Sequence, residues 1–138
     1  MKLRDWALAF AITVAAMILN VAMSFVWVWI YSLVEPGQSE AAYTAYAQQL
    51  APVSSVVFGA PILFAAGWLA GRGRPVREAA RMGLIVAGLY VAIDLAILVA
   101  AGALGGIWVW AVLSWATKLP AGWLGGRAGA AKGSHPVG

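Results

Sequence analysis

From Trp6 to Val34 the chain runs without a charged side chain. A helix needs about 20 mostly apolar residues to cross the hydrocarbon of a bilayer, and this run exceeds that. Only 10% of the 138 residues are charged and 63% are hydrophobic. Ordinary soluble domains are about 25% charged. So short a chain cannot hide that much apolar surface in a core of its own, so the solvent of the apolar surface has to be lipid. The predicted fold class is therefore all-α integral membrane.

Three further apolar runs follow: Pro52 to Ala70, Met82 to Leu104 with the single charge Asp94, and Ile107 to Gly126 with the single charge Lys118. With the first run they predict four transmembrane helices, arranged as two hairpins in one domain over residues 1–127. The Gly-rich segment 128–138 is expected to be a flexible tail. Lys2 and Arg4 resemble the charged start of a signal peptide, and Ala45-Tyr46-Ala47 its cleavage site. A signal peptide's apolar region spans about 7–15 residues, however, and the triplet lies well beyond the end of the run. The segment is read as a retained helix.

The basic residues orient the spans. Lys2 and Arg4 precede the first; Arg72, Arg74, Arg77 and Arg81 lie between the second and third; Arg127 and Lys132 follow the fourth. The segment between the first two spans carries no Lys or Arg but holds Glu35 and Glu40. An even number of spans puts every basic residue except Lys118 on one side. The positive-inside rule makes that side cytoplasmic, with both termini there. The expected location is a plasma membrane of the bacterial inner-membrane type. Seven of the eight Trp residues lie near span ends, as two aromatic belts would require; Trp115 is too deep for a belt.

Between the first two spans, Pro36-Gly37 signals a turn. Ser39 is placed to cap a short helix reaching about Leu50, with Tyr43, Tyr46 and Ala47 on one side. A solvated loop with some helical character is the alternative. Pro52 suits the first turn of the second span, and Pro61 should kink it.

The phrase AGWLAGR (Ala66 to Arg72) returns as AGWLGGR (Ala121 to Arg127). One reading is a duplicated hairpin, giving a parallel internal repeat about an axis along the membrane normal. Asn20 would then align with Asp94. The other reading is convergence, since any span leaving the membrane inward favours Trp at the boundary and Arg beyond it. Each copy holds Gly-x-x-x-Gly: Gly67 with Gly71, and Gly122 with Gly126. Residues four apart share a helix face, and two glycines there let a second backbone approach closely. The second backbone belongs either to another span or to another protomer.

Asp94, Lys118, Asn20 and Tyr90 form the expected polar core. A charge at the centre of a bilayer costs about 2.5–3.5 kcal/mol on insertion scales, so such residues usually face the bundle and find partners. With a tight turn at Gly105-Gly106, Asp94 and Lys118 would lie within ~3 Å in depth on antiparallel helices. That predicts an Asp94–Lys118 ion pair, with Asn20 close by and Thr13 and Ser24 along Asn20's stripe. These groups either fix helix register as buried polar contacts or line a proton or ion pathway. Pro120 offers Lys118 a third course, snorkelling to the headgroups.

The chain has no Cys, and its one His, His135, lies in the tail. Thiolate chemistry, Cys-ligated metal and most hydrolytic sets therefore have no parts. Neither an enzyme nor a cofactor or metal site is expected, and the motifs match no family residue by residue. The Arg cluster between spans two and three is explained by topology, so no nucleic acid is expected; anionic lipid headgroups could meet it. The leading expectation is a structural, accessory or assembly role, packing through Gly-x-x-x-Gly faces as a homo-oligomer or in a larger membrane complex. The alternative is a small oligomeric transporter or channel using Asp94, Lys118 and Asn20.

Overall fold

The computed structural model describes residues 1–131, and all its regular structure is helical. Five helices follow in order: α1 (Leu3–Val34), α2 (Glu40–Val57), α3 (Gly59–Gly71), α4 (Val76–Ala100) and α5 (Leu104–Gly129). His135 and Lys132, and with them most of the expected tail, lie outside the described residues. Residues 128 and 129 belong to α5 rather than to the tail.

Helix α1 opens with the Asp5 carboxylate accepting from the Lys2 backbone N–H at 2.9 Å. That contact closes one orphan donor of the first turn and sets a negative charge at the positive end of the helix. Only 22% of its most apolar window is buried inside the protein, and 28% of that of α4. By length and composition these two helices can each cross a membrane. A third crossing follows if α2 and α3 count as one bent span. Helix α5, 26 residues long and carrying Lys118 and Pro120, is not among them. The four-span expectation is thus supported only as two to three candidate crossings.

Two sequence expectations about the second span change. Helix α2 is not a short outer helix: it runs from its Ser39 cap, whose Oγ accepts from the Ala42 N–H at 3.2 Å, straight through Pro52. Pro52 is therefore internal to α2 rather than in the first turn of a span. Replacing Ser39 by Ala should cost about 1 kcal/mol, seen as a lower melting temperature of the purified protein. The break falls at Phe58, where α2 and α3 meet at 45°. Pro61 explains it: lacking an N–H, it cannot donate to the Val57 carbonyl, and its ring crowds that group. The start of α2 folds back on the end of α1, with the rings of Tyr31 and Tyr46 stacked at 3.8 Å and Tyr43 edge-on to Tyr31 at 6.1 Å.

The α4–α5 turn also moves. It is made by Ala101–Ala103, where Gly102 takes the left-handed conformation (φ 64°) that glycine adopts without a Cβ penalty. Gly105 and Gly106 are already inside α5, which bends at Ile107 (φ −130°, ψ 16°).

The most extensive helix pair is α3 with α5, then α4 with α5. Glycine makes both possible. A Cβ added to Gly67 would collide with the Gly122 carbonyl oxygen, and one added to Gly71 with that of Gly126. The matched positions of the repeated phrase therefore lie against each other, on helices running in the same direction. The other side of α5 is equally tight: a Cβ on Gly122 would stand 2.6 Å from Ala87 Cβ and 2.7 Å from the Gly83 carbonyl oxygen. Gly125 and Gly129 meet the carbonyls of Phe64 and Trp68 in the same manner. The partners of these glycines are helices of the same chain. Each copy of the phrase also places its Arg over its own Trp, Arg72 over Trp68 at 4.9 Å and Arg127 over Trp123 at 4.8 Å.

One end of the bundle gathers three distant parts of the chain. Arg74 Nη2 meets Asp5 Oδ1 at 2.8 Å, the one salt bridge among the described residues, and the Arg74 carbonyl accepts from the Ala131 N–H at 2.9 Å. The start of α1, the α3–α4 turn and the end of α5 thus meet, and the arginines cluster there.

Candidate functional site: a cavity beside Asp94 and a buried lysine

Polar side chains of α1, α2, α4 and α5 converge in the half of the bundle away from the arginines. Lys118, on α5, is completely buried (0% exposed). Its Nζ donates to Ser55 Oγ at 2.8 Å and stands 4.4 Å from the centre of the Tyr90 ring. Room for it comes from Gly59, the first residue after the break: a Cβ there would collide with Lys118 Cε. The Pro61 break and the lysine are therefore coupled through one missing methyl group.

The predicted Asp94–Lys118 ion pair is not formed. Asp94 instead accepts from Trp115 Nε1 at 2.8 Å. The displaced turn is the reason. Measured from Gly102, Asp94 lies eight residues back and Lys118 sixteen forward, a depth offset of ~12 Å at ~1.5 Å per residue. The snorkelling alternative for Lys118 also fails, since the ammonium turns into the bundle and away from any surface. Trp115, set apart from the aromatic belts in the sequence, is the residue that reaches Asp94.

Asn20 is brought to Tyr90, not to the two charges: its Nδ2 donates to Tyr90 Oη at 3.0 Å. Its Oδ1 is buried and has no hydrogen-bond partner. Thr13 donates to the Ala9 carbonyl at 2.8 Å and to the Val86 carbonyl at 3.2 Å. Ser24 and Ser54 share a hydrogen bond at 2.9 Å, as do Ser55 and Ser114 at 3.2 Å. The stripe Thr13–Asn20–Ser24 thus faces the bundle along its whole length.

Between these groups lies a cavity of about 210 Å³, walled by Asn20, Ser24, Ser55, Asp94, Ser114 and Trp110 among others. Lys118 lies behind Ser55 and does not line it. The sequence singled out Asn20, Asp94, Tyr90 and Lys118 but passed over Ser54-Ser55 and Gly59. The available signal was a pair of hydroxyls interrupting the apolar stretch PVSSVVFG, followed two residues after Gly59 by a helix-breaking proline. Gly67, Gly71, Gly122 and Gly126 lie apart from this cavity, in the glycine-packed half. Among the described residues, no group of three His, Asp or Glu side chains could hold a metal ion. No protein-family model, curated protein or solved structure matches this chain.

Proposed function

We propose that the chain is a multi-pass membrane protein that binds a solute in the cavity beside Asp94, as a small transporter or channel subunit. The two ionisable side chains inside the bundle, Asp94 on the cavity wall and Lys118 behind it, carry this reading. A fully buried ammonium held by one serine and one aromatic ring is expensive in an apolar bundle. A purely structural protein would gain stability by replacing it, whereas a solute pathway needs charge at depth. The break between α2 and α3 adds support, since discontinuous helices commonly frame solute sites at the membrane midplane. Flux through vesicles containing the purified protein, measured across small cations and anions, tests it. Asp94→Asn should reduce any flux at least about tenfold, a loss of about 1.4 kcal/mol in barrier terms. No flux in the unaltered protein, together with no solute binding, would sink the reading.

The proposed topology has four crossings: α1, the bent α2–α3 pair, α4 and α5, with both termini cytoplasmic. The meeting of the start of α1 and the end of α5 with the arginine-rich α3–α4 turn supports it, as does the shared direction of α3 and α5. The chain lacks cysteine, so single labels are clean. In intact cells a membrane-impermeant maleimide should label Gln38→Cys but reach Ala128→Cys only after permeabilisation; the reverse pattern overturns the topology. A duplicated hairpin is favoured by the contact of matched glycines and by the paired Arg–Trp contacts. Asn20 and Asp94, matched in that scheme, have unlike partners in Tyr90 and Trp115.

A second reading, an assembly or accessory role, has its own support. An apolar groove between α1 and α3 is lined by small residues, among them Ala11, Ala15, Ala65 and Ala66. Small-residue surfaces favour helix association in lipid. Crosslinking in native membranes that captures only monomer would remove this reading.

A further inference from the structure

We infer that the solute of this cavity is a small organic cation, a primary ammonium on a short hydrocarbon chain; the inference rests on the solute-binding reading above and gives it a ligand class. The strongest acceptor on the wall is the Asp94 carboxylate. Among the described residues it receives one hydrogen bond, from Trp115 Nε1 to Oδ2, which leaves Oδ1 without a donor there. Lys118, the nearest cationic donor, is turned to Ser55 and does not line the wall. Asp94 is also the one formally charged side chain on the wall, so the field in the cavity attracts a cation. A carboxylate with one oxygen to spare suits an ammonium head, which has three N–H donors and no acceptor.

The rest of the wall selects an organic cation over a bare metal ion. A bare Ca²⁺ ion is usually held by several carboxylate and carbonyl oxygens, and the wall offers one carboxylate, Asp94. Leu98, Ile107 and Trp110 supply apolar surface on which a short alkyl chain sheds its water. The indole face also attracts an adjacent cation. A volume of about 210 Å³ far exceeds the roughly 10–15 Å³ that one water needs and has room for a small organic molecule. Lys118 lies behind Ser55, on the far side of the wall from the bound head, and its charge weakens the binding of a second cation.

The test is calorimetric titration of the full chain in lipid nanodiscs with n-butylammonium, n-butyrate and n-butanol as matched probes, and methylammonium and K⁺ as size controls. The expected order is butylammonium tighter than methylammonium, with butyrate, butanol and K⁺ at least tenfold weaker than butylammonium. Asp94→Asn, which retains an acceptor for Trp115, should weaken butylammonium at least tenfold, and Lys118→Met should tighten it. Melting curves of both variants show whether each is folded. Butyrate binding that is lost in Lys118→Met and strengthened in Asp94→Asn would overturn the cation assignment and leave the solute-binding reading standing. Preference for K⁺ or for butanol over butylammonium in the unaltered protein would overturn it equally. Absence of binding by every probe, together with absence of flux, would remove both the assignment and the reading beneath it.

Discussion

Gly122→Leu should destabilise the protein by about 3 kcal/mol or more, the upper end of what overpacking costs. The first added carbon already overlaps Ala87 Cβ at 2.6 Å and the Gly83 carbonyl oxygen at 2.7 Å. Side chains can usually rotate away from an inserted group, but here one neighbour is main chain and the other is a methyl fixed to main chain. Relief requires α4 to move off α5, which would also open the contact of Gly126 with Gly83. A second glycine gives the contrast. Gly88 on α4 has no atom within 4 Å of an added Cβ, so Gly88→Ala should be neutral or stabilise by about 0.5–1 kcal/mol through helix propensity. Thermal or denaturant unfolding in detergent measures both. Equal melting temperatures for Gly122→Leu and the unaltered protein would mean that α4 and α5 do not pack through these glycines.

Lys118→Met should separate stability from function. Methionine keeps most of the volume of the side chain and removes the charge. A buried ion exchanged for a well-packed apolar residue often yields about 1–4 kcal/mol of stability. Ser55 loses one donor but keeps its hydrogen bond with Ser114. A higher melting temperature with altered solute flux is therefore expected. A marked loss of stability would instead make the ammonium a structural element, held in place by Ser55 and Tyr90. Gly59 offers an internal check on the same site. Gly59→Ala should be costly beside Lys118 and much less so beside Lys118→Ala, because the shortened side chain vacates the position of Cε. A coupling of about 0.5–3 kcal/mol is the usual range for residues in contact. Strictly additive losses would place the two residues apart.

The different legibility of these features has physical causes. Helices α1 and α4 could be read from local hydropathy, because a long apolar run with few charges has few other stable forms. The paired Gly-x-x-x-Gly segments could also be located, since residues four apart share a face whatever the fold. Their partner could not be named, because glycine records that something comes close but not what. The polar residues of the site were visible for the opposite reason: in so apolar a chain any Asn, Asp or Lys stands out. Their pairing was another matter. Placing the turn at Gly105-Gly106 instead of at Gly102 shifts each flanking helix by three residues in opposite senses, and the two shifts add. That difference is enough to exchange Lys118 for Trp115 as the partner of Asp94. Ser55 and Gly59 went unread because serine and glycine are common in such helices, and nothing local tells a cradle from a filler.

The sequence by itself determined that the chain is helical, that stretches of it are long and apolar enough to cross a membrane, and that its arginines fall near helix ends. It also determined that any chemistry must be carried by a handful of polar side chains. Those are properties of composition and of short-range spacing, which survive errors of a few residues. Only the tertiary structure decided that α2 continues through Pro52 to a break at Phe58. It alone decided that the two copies of the repeated phrase lie against each other in parallel, and that Lys118 is held by Ser55 and Tyr90 while Asp94 is held by Trp115. Each of these depends on helix register across the bundle. Register is set by where a turn closes and how near two backbones can come, and both are summed over distances that no local pattern spans.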